Sequence, residues 1–514
     1  MGAVVGAIVT SIATSAGASA FVGKLIGAIV SAAFSFLTSG LFSNKKAPSA
    51  STDPGGISQM IRESVQPRRV IYGLNKVSGP IVYVESTGEN NKYVHFVIAL
   101  SGHELQSIDD IYINNDVLTL SGREDTGTYA GYVWVDKFLG TSDQAANSYL
   151  VAESANKWTT DHRLRGIGYL TVKLLYDQSK FPEGIPNISA VVKGKKLYDF
   201  RTETTYYSTN PALMIYDYLT NSDYGLGAST DEIDLPSFIS LANLAEETVS
   251  LSAGGTIERY PISGVFDTDQ TPADILEQMA SSFAGKIGYS GGKFYVTGGA
   301  YATPLLHIAE DDIIGPLEIQ TKLSRKDRFN SVKGTYINPE NNYQSSDYPQ
   351  RSDTTYIAED NYETIWKDLE LRYTQHAAVA QRIAKIVLER NRRQEIVTFT
   401  MNLKGLKIRP GDNVTLSLDK YGWNQKVFEV LNWSLQSGDV DNPNLQVALS
   451  LQAIDSNVYS WSVDDEQEII SAPEISYEQN IIGPFTATID ILPWESETDL
   501  VTTSLSSFQG YYYE

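Results

Sequence analysis

Hydrophobic and polar positions change rhythm several times along the chain. Residues 1–42 are nearly all apolar or small and end in "GASAFVGKLIGAIVSAAFSFLTSGLF". Residues 43–56, "SNKKAPSASTDPGG", have the make-up of a linker. From Ile57 to about Arg201 the period is mostly two. "YVHFVIAL", "DDIYINND", "GYLTVKLLYD" and "ISAVVKGKKLYD" read as strands separated by Gly, Asn and Asp turns. The pattern predicts a β-barrel or sandwich-like domain over 57–201, with a polar stretch at about 121–163 inserted into it.

The period then lengthens. In "NPALMIYDYLTNSDYGLG", Asn210 caps a helix with Pro211 at its first position. Ala212, Ile215, Tyr216 and Leu219 share one face, and Gly225 and Gly227 end it. A second helix is expected over 234–249, and a third from Thr271 and Pro272 to near Gly285, ahead of a hairpin turning at Gly291 and Gly292. These elements make an α+β domain over 202–306. In 307–460 a long helix, "LRYTQHAAVAQRIAKIVLERNRR", carries Ala378, Ile383, Ile386 and Val387 on its apolar face. Alternating runs around it turn at Arg409, Pro410, Gly411 and Asp412 and continue through "FEVLNWSLQ" and "NLQVALSLQAID", predicting another β-barrel. Residues 461–514 form an acidic C-terminal extension. The whole is expected to be a multidomain, β-rich α+β protein, without tandem repeats of solenoid or propeller period.

Composition sharpens this picture in three places. The 514 residues, 42% hydrophobic and 20% charged, suit several folded domains and not a disordered chain. A formal net charge of −22 argues against a surface that grips phosphates without sequence preference. No Lys or Arg follows Lys426, whereas Asp464, Asp465, Glu466, Glu468 and further carboxylates accumulate. That extension reads as a solvated skirt or as a wall that repels DNA. Cysteine is absent, which removes disulfides and thiolate metal sites. Tyrosine outnumbers phenylalanine 31 to 17, which suits β-rich structure and interfaces.

Candidate chemistry is thin. His95, His103, His162, His307 and His376 are scattered singly, with no His-x-x-x-His pair and no EF-hand-type loop, so no metal or cofactor is expected. There is no Gly-x-Ser-x-Gly elbow or phosphate-binding loop, and the glycine pairs at 254–255, 291–292 and 298–299 read as turns. Two carboxylates can hydrolyse a glycosidic bond, but the sequence singles out no pair, and the chain reads as a non-enzyme. The basic clusters "QPRRV" and "LERNRRQE" are small. Arg390, Arg392 and Arg393 read as meeting the carbonyl end of a helix, or as pairing between subunits, in preference to nucleic acid.

Three stretches, in this order, resemble the central tail-hub, or tip attachment, family of tailed bacteriophages (lambda protein J-like). They are "GIPNISAVVKGKKLYDFRT" with "NPALMIYDYLTNSDYGLG", "KDRFNSVKGTYINPENNY", and "QHAAVAQRIAKIVLERNRRQEIVTFTMNLKGLKIRPGDNVTLSLD". The similarity spans about residues 62–455. It implies two barrel- or sandwich-like hub domains with an inserted domain and an α+β domain, in a virion tail-tip protein assembled in the host cytoplasm. Three copies would form a homotrimeric ring that closes the tail tube and opens for DNA ejection. Other tail-tip proteins, the distal tail protein and the tape-measure protein would be its neighbours. The chain departs from the family pattern in stopping near residue 514, without trailing fibronectin-like and receptor-binding domains. A separate fibre or receptor-binding protein is therefore expected at the C-terminal end. Ring packing would bury strand edges, and a lumen lined by carboxylates would pass DNA without specific binding. A tail-associated cell-wall or polysaccharide hydrolase, or a receptor-binding protein in its own right, is the alternative.

The apolar head is a second departure from that family pattern. Residues 1–23 carry no charged side chain, unlike the n-region of a secretory signal. Residues 25–42 are 18 uncharged positions, at the short end of what spans a bilayer. Gly23, Gly27, Ala28 and Ser31 are spaced for close helix contact, with Phe34, Phe36 and Leu37 beyond them. This segment is expected to be a helical plug that meets partner chains or the tape-measure protein at rest and the host membrane during ejection.

Overall fold

The alternating run after Gln66 folds as two packed sheets in a computed structural model, which describes residues 66–182, 184–437 and 444–468. The larger sheet has the order Ile81–Thr87, Tyr93–Ser101, Gly168–Leu175, Val133–Phe138, Glu124–Asp125, Leu120–Ser121. The smaller runs Leu74–Val77, Ile188–Lys193, Ser107–Ile113, Asp116–Val117. Alternate residues meet between them: Phe96, Ile98 and Leu100 with Leu170 and Val172 from one, Ile111, Ile113, Ile188 and Val192 from the other. The opposite face of the larger sheet, through Val97 and Tyr169, packs against Leu150 of helix α1 (Ser148–Glu153) and Trp158. The region is thus a sandwich.

Helices α2 (Pro211–Thr220), α3 (Leu235–Ala245) and α4 (Pro272–Ser281) share the largest apolar core. Asn210 Oδ1 accepts the Ala212 amide at 3.0 Å and Thr271 Oγ1 the Asp274 amide at 3.3 Å, so both proline-led starts are capped as expected. Helix α3 ends sooner than its sequence pattern suggests, because Thr248–Ser250 pairs with Thr256–Glu258 as a hairpin. Arg69–Tyr72 pairs with Gly264–Asp267 and carries the sandwich into this core. At Gly264 a Cβ would fall 2.0 Å from the Tyr373 ring, so only glycine fits there.

Helix α5 (Thr354–Glu359) is short, and α6 (Ala377–Arg392) is the molecule's longest helix among the described residues. It begins six positions after Leu371, which bridges to Tyr336 instead. The last sheet has the order Leu306–Ile308, Asn413–Leu418, Trp423–Ser437, Leu445–Ala453, Ile396–Met401, Ile313–Gln320. Its edge strands are five residue steps apart, a reach of at most about 18 Å, so the sheet must curl around its core of Val414, Phe428, Val430, Leu449 and Leu451. No ladder closes any sheet among the described residues, so 57–201 takes the sandwich form of its expectation and the barrel expected over 307–460 is not closed. One edge here is only three residues long. The other is interrupted at Gly315 and Pro316, with its register shifting between Ile314 and Glu318, and proline has no N–H to give to a seam. No helix among the described residues is long and apolar enough to cross a membrane. The expected N-terminal helical plug lies outside the described residues.

Candidate functional site

The singled-out head residues, Gly23, Gly27, Ala28, Ser31, Phe34, Phe36 and Leu37, lie outside the described residues. The other sequence-predicted features can be placed. Both basic clusters are used inside the chain. Arg69 is buried and pairs with Asp267 at 3.2 Å, and Arg68 Nη2 donates to the Gly102 carbonyl at 2.6 Å. At the end of α6 the carbonyls of Arg390 and Arg393 accept from Gln452 Nε2 at 3.2 and 2.9 Å. The arginine side chains reach carboxylates instead: Arg392 meets Asp360 at 2.8 Å and Glu359 at 2.5 Å, and Arg393 meets Asp455 at 2.6 Å. Arg390 and Arg392 do lie in the last turn of α6, but their side chains are engaged by carboxylates of the same chain.

Arg390 makes a second buried pair, beside that of Arg392 with Asp360. Its Nη2 contacts both oxygens of Glu429, at 2.8 and 2.6 Å, and Lys286 Nζ contacts the same carboxylate at 2.5 Å. Burial would raise the Glu429 carboxyl, but Arg390 and Lys286 hold it below its ordinary value. Burial, helped by the Arg390 charge, pushes Lys286 down to about 8. The triad ties α6 to the strand Trp423–Ser437 and to the hairpin strand Gly285–Ser290.

Two other clusters have the residue types of a catalytic set but not its freedom. Asp217 accepts from the Tyr72 hydroxyl at 2.6 Å, the Tyr224 hydroxyl at 2.5 Å and Lys195 Nζ at 2.9 Å. Burial, then the Asp217 charge, raises both phenols far above their ordinary value, so neither ionises near neutral pH. His103 is held at both nitrogens: Nε2 accepts from the Ile71 amide at 2.9 Å, and Nδ1 donates to the Glu104 carbonyl at 2.8 Å. That tautomer is neutral, and burial pushes the imidazole down to about 4. An open groove of about 490 Å³ lies beside Val133–Phe138. Asp136 is its only lining carboxylate and is paired with Arg123 at 2.8 Å, so a two-carboxylate hydrolytic site is not assembled there. No three histidine or carboxylate side chains converge as metal ligands among the described residues.

What remains open is surface. The edge strand Ile81–Thr87 pairs on one side only among the described residues, and Val82 and Val84 stand about half exposed along it, at 49% and 53%. Leu435 and Leu445, near the end of the long hairpin, are exposed, as are Leu403 and Leu406 on the 3-10 turn beside it. Sequence reading placed these strands but missed the segment 455–468. That segment is bound to α6 by Asp455, Trp461, Asp465 and Gln467. Its signal was an indole set among carboxylates, "WSVDDEQE".

The comparisons with known proteins agree with an assembly component. Residues 271–433 match the model of a family described as a phage tail protein. Baseplate hub protein pb3 of Escherichia phage T5 is 23% identical over 491 residues, covering 81% of this chain and 50% of that protein. Tip attachment protein J of Escherichia phage SECphi27 is 24% identical over 259 residues, covering 47% of this chain and 22% of that protein. The chain therefore spans half the length of the first relative and about a fifth of the second. A chain in the virion of a native gene transfer agent particle shares the fold, with a TM-score of 0.57 at 15% identity, over 83% of this chain and 93% of that one. The chain is thus similar to phage tail-hub and tip-attachment proteins.

Proposed function

We propose that this protein is the structural hub of a phage tail tip: a ring, homotrimeric by our reading, that closes the tail tube and opens for DNA ejection. The observation that carries it is the relation to the T5 baseplate hub protein across 81% of the chain. The unclosed sheets support it, since exposed edges such as Ile81–Thr87 find partners in a ring. The basic clusters support passage of DNA without binding, because Arg69, Arg390, Arg392 and Arg393 are paired with carboxylates inside the chain. In this reading the distal tail protein, the tape-measure protein and a fibre or receptor-binding protein are the neighbours. The head, through Gly23, Gly27, Ala28, Ser31, Phe34, Phe36 and Leu37, plugs the channel and meets the host membrane on ejection.

Particles made without this chain test the proposal. They are expected to show tails with an unfinished tip and no DNA delivery, while particles carrying only residues 43–514 assemble the tip but fail at delivery. Complete tips in its absence would contradict the hub role. Normal delivery by the truncated form would remove the plug while leaving the hub intact.

A further inference from the structure

Residues 455–468 cross α6 in two unlike halves. The first is apolar: Ile454 and Val458 are buried against Ile386, with Val427 and Tyr459 beside them. From Trp461 to Glu468 no side chain joins an apolar core, and Val463 is exposed. The second half is held by charge and one ring. Asp465 meets Lys385 at 2.9 Å and Arg351 at 3.4 Å, and Arg351 also donates to the Asp465 carbonyl. The Trp461 ring has Arg382, Arg351 and Lys385 around it at 5.5, 5.8 and 5.9 Å. The Gln467 amide donates to Gln381 Oε1 at 2.8 Å, and Gln381 Nε2 returns a bond to the Gln467 carbonyl at 2.9 Å. Glu466 accepts the Ser252 amide at 2.8 Å.

Beneath this strap sits an arginine that is hard to explain by packing alone. Arg382 is 1% exposed, donates through Nη1 to the Arg259 carbonyl at 2.7 Å, and leaves Nε and Nη2 buried without a hydrogen-bond partner. Burial pushes it down to about 10. The seat is thus cationic, with Arg351, Arg382 and Lys385 around one indole, in a chain whose net charge is −22.

We propose that residues 460–468 are an ionic latch, a strap that swings off α6 at Ser460 without unfolding the body and uncovers the cationic seat of Arg351, Arg382 and Lys385. The seat selects an acidic peptide bearing an aromatic ring, and the chain's own "WSVDDEQE" fills it in cis. The Asp465 pairs are part-buried, with side chains 16–22% exposed, so salt weakens them in part while the apolar anchor does not weaken, and the two halves respond differently to ionic strength. The latch belongs to the single chain, and the isolated full-length protein tests it whether or not the hub reading holds.

The measurement is hydrogen exchange at about 0.05 M and about 0.5 M sodium chloride, read at the amides of 460–468 and of α6. Salt is expected to speed exchange of the strap, with the Gln467 amide as its direct reporter, by about tenfold while α6 stays protected. Asp465→Asn and Lys385→Gln should do the same at low salt. The salt series on the unaltered chain gives this reading without any substitution. Strap amides that exchange only together with α6, or a strap indifferent to salt and to both substitutions, would overturn the latch.

Discussion

At His103 the backbone decides the chemistry of the side chain. An imidazole that accepts from Ile71 and donates to Glu104 cannot take a second proton without losing the first bond. The unfolded chain binds that proton near its ordinary value of 6.5, whereas the folded one resists until about 4. Between those values the unfolded state holds more protons, so stability falls as pH falls, by about 3 kcal/mol across the whole window. Urea unfolding at pH 7 and about 4.5 should therefore show a smaller acid loss for His103→Gln than for the parent, by roughly 2 kcal/mol. Equal losses would mean that His103 is protonated in the fold. A lone histidine in "ALSGHELQS" gave no hint of this, because both partners lie on the main chain and one is 32 positions away.

The helices were readable where the local code is strong. Asn210 with Pro211, and Thr271 with Pro272, supply their own caps, so α2 and α4 start where the sequence says. Helix α6 was readable as an element but not in its role. Its arginines Arg390 and Arg392 are buried against Glu429 and Asp360, and Arg393 just past its end meets Asp455, residues 39, 32 and 62 positions away, and periodicity carries no record of such partners. Removing the shared carboxylate tests what that network contributes. Glu429→Gln leaves Arg390 and Lys286 buried without their counter-charge and should cost about 3–5 kcal/mol. Lys286→Met leaves a one-to-one Arg390–Glu429 pair and removes an ammonium that burial already disfavours, so its change should stay within about 1 kcal/mol. Thermal unfolding of the two variants separates them, and equal losses would show that the triad does not act through charge balance. The sheets were half readable in the same sense. Alternation marked the strands, but the gap between Ile313–Gln320 and Leu306–Ile308 depends on which edges meet in three dimensions.

For the whole molecule, a β-rich body with internally paired arginines, an edge at Ile81–Thr87 left unpaired among the described residues, and a strap at 455–468 fits a piece of a larger assembly. Nothing in alternation or charge reveals ring symmetry, because a protomer's sequence records its contacts only as exposed side chains such as Val82 and Val84. A cryo-electron microscopy reconstruction of the intact tail tip is the most direct test of the hub role. The account predicts this chain as a threefold ring coaxial with the tail tube, with the edge Ile81–Thr87 covered by a neighbour. A reconstruction in which the chain lies off the tail axis, or is missing from the tip, would contradict it.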